Sequence, residues 1–543
     1  MAVTLLSLML AAAAQGGGLL PPPVPPGNPI TQSKVLLGKT LFWDEQLSST
    51  RTVSCGSCHL PEAGGSDPRS LLGGPAVTHP GPDGVFGTPD DVLGSPGVVR
   101  SDAAGLYVAD PVYSLAPQVT PRRSMGVVNA AYSPQLFWDG RADQVFRDPI
   151  TNQVVLGRFA ALESQVLGPP VSEVEMGHEG RDWNDVAARI AAAPPLALSG
   201  GPTPDLAAWL DGRDYPALFL EAFGTPEVTP SRIAMAIASY ERTLVSDQAP
   251  IFAFLAGNTA ALTPQEQRGF ALFNSPRLAC NLCHFGPRFT DDQFRYTGVR
   301  PQAEDPGRAA VTGDPADEGA MKVPSLLNVA LRPPYFHGGQ AADLAAVVDF
   351  YDRGGDFDGP NKPPTIHPLG LSAAEKADLL AFLGRPLTDP RLAARQAPFD
   401  RPVLYAESGR QPRLYGRPTA GAAGIEPVMV AAEPPLAGNP SLTIGLDHGR
   451  GGALAALVVD TADDPLGHPV QGALAFLALG PDQVRHLIQL DGAGPGGGTA
   501  SFSFTVPAGA AVVGQRRYAQ WFVADPGAPG GLAASAAAEF TVF

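Results

Sequence analysis

The chain has 543 residues, with 37 Lys and Arg against 53 Asp and Glu, a formal net charge of −16 and a pI near 5.0. That acidic balance argues against a nucleic-acid ligand and favours positively charged partners. The length exceeds what one hydrophobic core ordinarily organises, so two or three domains are expected, and 58 Pro and 62 Gly predict long irregular connections between their elements.

Met1 to Ala14 is an apolar stretch ending in small residues before Gln15, the pattern of a secretory signal, although it lacks the usual Lys or Arg. It is too short to span a bilayer, no later stretch reads as transmembrane, and a periplasmic or otherwise exported location is expected. Residues 15–29 read as a Pro/Gly-rich linker. Helical periodicity then recurs over Asp182 to Ala193, Pro230 to Val245, Pro264 to Phe273, Ala342 to Tyr351 and Ser372 to Leu383, with no strand pattern of comparable strength. This region divides into 30–248 and 249–390, and a linker over 391–423 follows. From residue 424 to 543 the pattern changes to alternating apolar segments, Ser441 to Leu446, Ala473 to Leu479, Ala500 to Val506 and Tyr518 to Val523, which predict an antiparallel β-sandwich. That part has no cysteine and only scattered histidines (His448, His468, His486), so a spacer or adhesion role is expected of it rather than catalysis.

All four cysteines fall in two C-x-x-C-H motifs, Cys55-Gly56-Ser57-Cys58-His59 and Cys280-Asn281-Leu282-Cys283-His284. Two disulphides, or one zinc ion held by four thiolates, would use the cysteines but not the histidines. Two covalently bound haem c groups use both: each pair of thiols captures the two vinyl groups of a haem, and the next residue offers its imidazole to the iron. The fold class expected is therefore mainly α, with two cytochrome c-like haem domains followed by the β-sandwich.

Leu37 to Asp44 leading to Ser54-Cys55-Gly56-Ser57-Cys58-His59 resembles the opening of the bacterial di-haem cytochrome c peroxidase family, which includes the MauG proteins. Phe137-Trp138-Asp139-Gly140-Arg141-Ala142, Gln165 with Glu175-Met176, Lys322 to Val329 and Pro334-Tyr335-Phe336-His337-Gly338-Gly339 continue the likeness over roughly 360 residues. The resemblance implies His59 and His284 as proximal ligands, Glu175 and Gln165 over the distal face of the first haem, and Trp138 as an electron relay between the haems. A carboxylate beside the iron has a clear task, since O–O heterolysis needs a proton moved from the near oxygen to the far one. Tyr351 stands where typical peroxidases carry a methionine ligand to the second haem and MauG proteins carry tyrosine, with Met321 the alternative ligand. In the enlarged loop after the first motif, His79 is either a gating sixth ligand of the first iron or an exposed loop histidine. The same loop holds Asp83 to Asp91, readable as a Ca²⁺ site or as a plain acidic turn. Arg123 replaces the asparagine through which the family holds an interdomain Ca²⁺, and would supply the positive charge itself. Leu278 stands where MauG has a second tryptophan.

The leading expectation is a peroxidase that reduces H₂O₂ to water with electrons from a c-type cytochrome or cupredoxin. The alternatives are a MauG-like oxidase acting on a partner protein, and a non-catalytic electron carrier.

Overall fold

The computed structural model describes residues 18–543. The expected signal over residues 1–14 lies outside them. The first unit is built from α1 (Gln32–Phe42), the hairpin β1 (Pro96–Val99) and β2 (Pro117–Val119), α2 (Ala161–Val166) and α3 (Pro230–Glu241). The second is built from α4 (Pro264–Phe273), α5 (Leu344–Asp352) and α6 (Ala373–Leu383). Helix starts follow local chemistry. Thr31 caps α1 by accepting from Lys34 N, and Thr263 with Glu266, and Ser372 with Glu375, form capping boxes at α4 and α6.

Each unit is closed by a pair of helices crossing at a glycine. A Cβ on Gly38 of α1 would lie 1.9 Å from the Ala236 carbonyl oxygen of α3, and one on Gly269 of α4 would lie 2.0 Å from the Asp378 oxygen of α6. No larger residue permits backbones to approach so closely. Leu37, Leu41 and Phe42 then pack with Ile233, Ile237 and Tyr240 in the first core, and Phe273 with Leu379 and Phe382 in the second.

The C-terminal part contains β3 (Arg413–Tyr415), β4 (Val428–Val430), β5 (Leu442–Gly451), β6 (Leu454–Asp460), β7 (Asp463–Val470), β8 (Ala473–Leu477), β9 (Val484–Gln489), β10 (Gly494–Phe504), β11 (Arg516–Ala524) and β12 (Leu532–Thr541). A three-stranded antiparallel sheet, β4-β5-β10, faces a five-stranded one, β9-β6-β11-β12-β3. Ile444 and Leu446 from one sheet meet Leu457, Trp521 and Val523 from the other, and Trp521 Nε1 donates across to Gly445 O at 3.0 Å. The β7-β8 hairpin covers the opposite face of the larger sheet, where Phe476 packs with Val458 and Phe522.

The helices lie where the periodicity predicts them, but mainly α is too strong a description of the whole. Among the described residues helix makes up 29% and strand 21%, because the helical region is itself largely loops and short hairpins and the sandwich supplies the long strands. Residues 391–423 send Leu392, Phe399 and Leu404 into the first core and provide β3 at the edge of the larger sheet. In the preceding segment, Asn28 is fully buried and donates to Glu163 at 2.9 Å.

Candidate active site

The first C-x-x-C-H turn sits against the end of α1, where a Cβ on Gly56 would overlap the Trp43 ring at 2.2 Å. Trp43 is in turn fixed by donating from Nε1 to the Tyr240 hydroxyl of α3 at 3.1 Å. The two histidines have the same environment. His59 Nδ1 lies 3.1 Å from Gly65 O, and His284 Nδ1 lies 3.0 Å from Phe289 O. A carbonyl oxygen only accepts, so Nδ1 carries the proton in each ring and Nε2 presents a lone pair. Burial lowers both imidazole pKa values, which favours the neutral, ligating form.

Cys55, Cys58 and His59 line one cavity of about 750 Å³, and Cys280, Cys283 and His284 line another of about 230 Å³. The cysteines are not paired with one another. Their division between two cavities rules out a single four-thiolate zinc site. Paired thiols beside a histidine with a free Nε2, in a ligand-sized cavity, are the donor set of a covalently attached haem.

Gln165 on α2 and Glu175 both line the first cavity with His59. The helix bearing Gln165 is anchored by Glu163, which accepts from Arg242 Nη1 at 2.9 Å and Nη2 at 2.7 Å. Glu175 follows a turn in which its N–H donates to Ser172 O at 3.2 Å. Burial raises the pKa of its carboxyl, opposed by the charge of Arg141. Strand β1 lies directly behind it: a Cβ on Gly97 would fall 1.9 Å from Val174 O and 2.8 Å from the Glu175 Cα.

His79 lines the first cavity as well. Its Nδ1 accepts from Gly81 N at 3.1 Å, so its neutral ring carries the proton on Nε2, the reverse of His59 and His284. In the adjoining loop, Asp83 Oδ1 accepts from Val85 N at 2.8 Å, Asp90 Oδ2 from Asp83 N at 3.0 Å and Asp91 Oδ2 from Gly87 N at 2.8 Å. These carboxylates organise their own turn, and among the described residues no cluster of three or more His, Cys, Asp or Glu is arranged to hold a metal ion. Arg123 reaches from the first unit to the carbonyls of Arg332, Pro333 and Pro334, placing a fixed positive charge at the junction of the two units.

Trp138 lines both cavities, and its Nε1 donates to Arg123 O at 2.9 Å. His337 also lines both, and the two rings meet edge to face with centroids 6.2 Å apart. Burial presses the His337 imidazole down to about 4. In the sequence this histidine stands out only as part of the Pro334 to Gly339 motif, yet a further signal for it exists. The chain from Asn129 to Ala142 recurs from Asn328 to Ala341, with Asn129 and Asn328, Phe137 and Phe336, and Gly140 and Gly339 all at positive φ. His337 is the repeat counterpart of Trp138. In the second cavity Tyr351, on α5, and Met321 both face the space beside His284. Burial raises the Tyr351 hydroxyl, and its ring packs edge to face on Phe350 at 5.0 Å.

The sequence profile of the di-haem cytochrome c peroxidase family matches residues 32–260. The chain is 32% identical over 362 residues to the methylamine utilization protein MauG of Methylorubrum extorquens, covering 66% of this chain and 79% of that protein. The chain belongs to the di-haem cytochrome c peroxidase family. As a family member it is an oxidoreductase of the peroxidase type with two haem c groups, which the two C-x-x-C-H cavities fit. It is also 29% identical over 321 residues to cytochrome c551 peroxidase of Nitrosomonas europaea, covering 58% of this chain and 72% of that one. A MauG-like protein associated with microbial copper homeostasis, known from its crystal structure, aligns with a TM-score of 0.49 at 28% identity, over 70% of this chain and 96% of that one. No helix among the described residues is long and apolar enough to cross a membrane.

Proposed function

We propose that this family member reduces H₂O₂ to two waters in the cavity of His59, with two electrons and two protons supplied for each turnover. The observation that carries the reading is the placement of the Glu175 carboxyl and the Gln165 amide in the same cavity as His59, Cys55 and Cys58. Bound there, haem supplies the iron and the electrons. Glu175 takes the proton from the nearer peroxide oxygen and delivers it to the departing one, so that the second oxygen leaves as water rather than hydroxide. A carboxyl whose pKa is raised by burial holds and releases that proton closer to neutral pH than an exposed glutamate does. Gln165 orients the peroxide. Electrons reach this cavity from the His284 side through Trp138, which borders both. His59 and His284 would each hold an iron through Nε2, and Tyr351 would be a second protein donor to the iron held by His284. His79, whose Nε2 carries the proton, would not hold the first iron.

The protein works outside the cytoplasm, with a small basic c-type cytochrome or a cupredoxin as electron donor to its acidic surface. Tyr351 also favours a second reading, a MauG-like oxidase acting on a partner protein, because a phenolate at that position stabilises ferric iron. Glu175→Gln tests the leading reading. Both haems should remain attached while peroxide consumption slows by roughly 10²- to 10⁴-fold, the usual worth of a general acid–base group, and an unchanged rate would remove Glu175 from the mechanism.

A further inference from the structure

We propose that the C-terminal β-sandwich is a brace for the distal carboxyl group, acting through the β1-β2 hairpin. This deepens the reading of Glu175 given above and rests on it. The hairpin has two ends. Its tip, the loop between β1 and β2, is buried in the sandwich: Tyr107, 7% exposed, donates its hydroxyl to Glu433 at 3.1 Å and its N–H to Ser501 Oγ at 3.0 Å. Asp447, 6% exposed on β5, accepts from Ser114 Oγ at 2.8 Å and Leu115 N at 3.1 Å, and Thr443 Oγ1 donates to Gly105 O at 2.7 Å. Val99, Tyr107 and Leu115 form a small core with Val430 of β4.

The other end of the hairpin holds the segment containing Glu175. Val98 N donates to Val174 O at 3.4 Å, Gln118 Nε2 to Glu173 O at 2.8 Å, and Glu179 N to Ser101 O at 2.8 Å. Gly97 lies against the Val174 and Glu175 backbone so closely that any side chain would displace it. A short two-stranded hairpin is marginal by itself. Here its tip is fixed chiefly by polar and apolar contacts to the sandwich, with Tyr113 also donating to Thr78 O at 3.4 Å and packing on Phe86, and its base holds the segment of Glu175. The sandwich therefore sets how firmly Glu175 is held over the cavity, and the residues that transmit this, Gly97, Tyr107 and Asp447, are positioning residues.

The test uses the full-length di-haem protein and its Asp447→Ala, Asp447→Asn, Gly97→Ala and Glu175→Gln variants. Amide hydrogen exchange reads the brace without reference to turnover, and peroxide consumption reads its consequence. In Asp447→Ala the amides of Val98 and Glu179 should exchange faster and peroxide consumption should fall, each by roughly threefold to thirtyfold, the span of couplings carried through packed contacts. The absorbance of the second haem should not change. Asp447→Asn, which keeps one acceptor oxygen, should restore most of both, and Gly97→Ala should reproduce the kinetic loss with the sandwich amides still protected. Faster exchange confined to the hairpin tip, with Glu179 exchange and peroxide rate at wild-type values, would overturn the proposal. A slow Glu175→Gln beside a normal Asp447→Ala defeats the brace alone, whereas a wild-type rate in Glu175→Gln defeats the acid–base reading and with it the catalytic meaning of the brace. Should Asp447→Ala fail to fold, Ser114→Ala removes one of the same contacts and carries the same readouts.

Discussion

Arg242→Met tests how the distal amide is held. In the folded protein the Arg242–Glu163 pair is dry, with side-chain exposures of 1% and 0%, and bidentate at 2.9 and 2.7 Å. Removing the guanidinium leaves Glu163 with Asn28 Nδ2, at 2.9 Å, as its remaining side-chain donor. A buried charge stripped of its counter-ion costs about 3–5 kcal/mol, whereas exchanging both members for neutral groups of similar volume is close to neutral. Arg242→Met should therefore destabilise the first unit by about 3–5 kcal/mol and Glu163→Gln/Arg242→Met by no more than about 1–2 kcal/mol. The assay is equilibrium urea unfolding followed by circular dichroism and haem absorbance together, because a chain with several cores need not unfold in one step. Gln165 is two residues from Glu163 on α2, so peroxide consumption should fall in the single variant and recover in the double. A loss below about 1 kcal/mol, or a double variant no more stable than the single, would refute the assignment of the pair as the anchor of α2.

Three further outcomes follow from the same geometry. Tyr351→Phe should change the ferric spectrum of the second haem and leave the first untouched; an unchanged second spectrum would hand the ligand role to Met321. Gly38→Val places a side chain where the α1–α3 crossing has no room, and should lower stability by at least about 1–3 kcal/mol in thermal unfolding. Burial pushes the Glu433 carboxyl up to about 8, so the folded chain retains a proton that the unfolded chain has released above the ordinary 4.5. Stability then falls as pH rises from about 4.5 to 8 and levels off above that, with a slope of up to about 1.4 kcal/mol per pH unit from this group. Glu433→Gln should remove that share of the slope in urea midpoints measured between pH 5 and 8.

What could be read from the chain depends on how local its cause is. A C-x-x-C-H motif is written in five consecutive residues twice over, so Cys55, Cys58 and His59, and Cys280, Cys283 and His284, are legible as candidates for haem attachment without any fold. The helices α3, α4 and α6 are legible because an apolar stripe and a capping residue lie within one segment. Glu175 and Gln165 emerge from a family resemblance, since nothing in their immediate neighbours distinguishes them from surface residues. Gly97 was not legible, because its role depends on a carbonyl more than seventy residues away in the chain. Nor was the grip of the sandwich on Tyr107, since Glu433 and Ser501 become its neighbours only after the first unit and the sandwich have packed. The counterpart relation of Trp138 and His337 was available from aligning the chain with itself, but their meeting between the two cavities was not. The hydrogen bond that fixes the His79 tautomer likewise belongs to the folded loop.

On the proposed reading, His59 would hold an iron left open to peroxide beside Glu175, while Tyr351 would close the one held by His284. Electron paramagnetic resonance of the ferric protein, before and after one equivalent of H₂O₂ without reductant, tests it most directly. One high-spin and one low-spin signal, with the high-spin signal consumed by peroxide at once, is the predicted result. Two low-spin signals that ignore peroxide until one haem is reduced would contradict it.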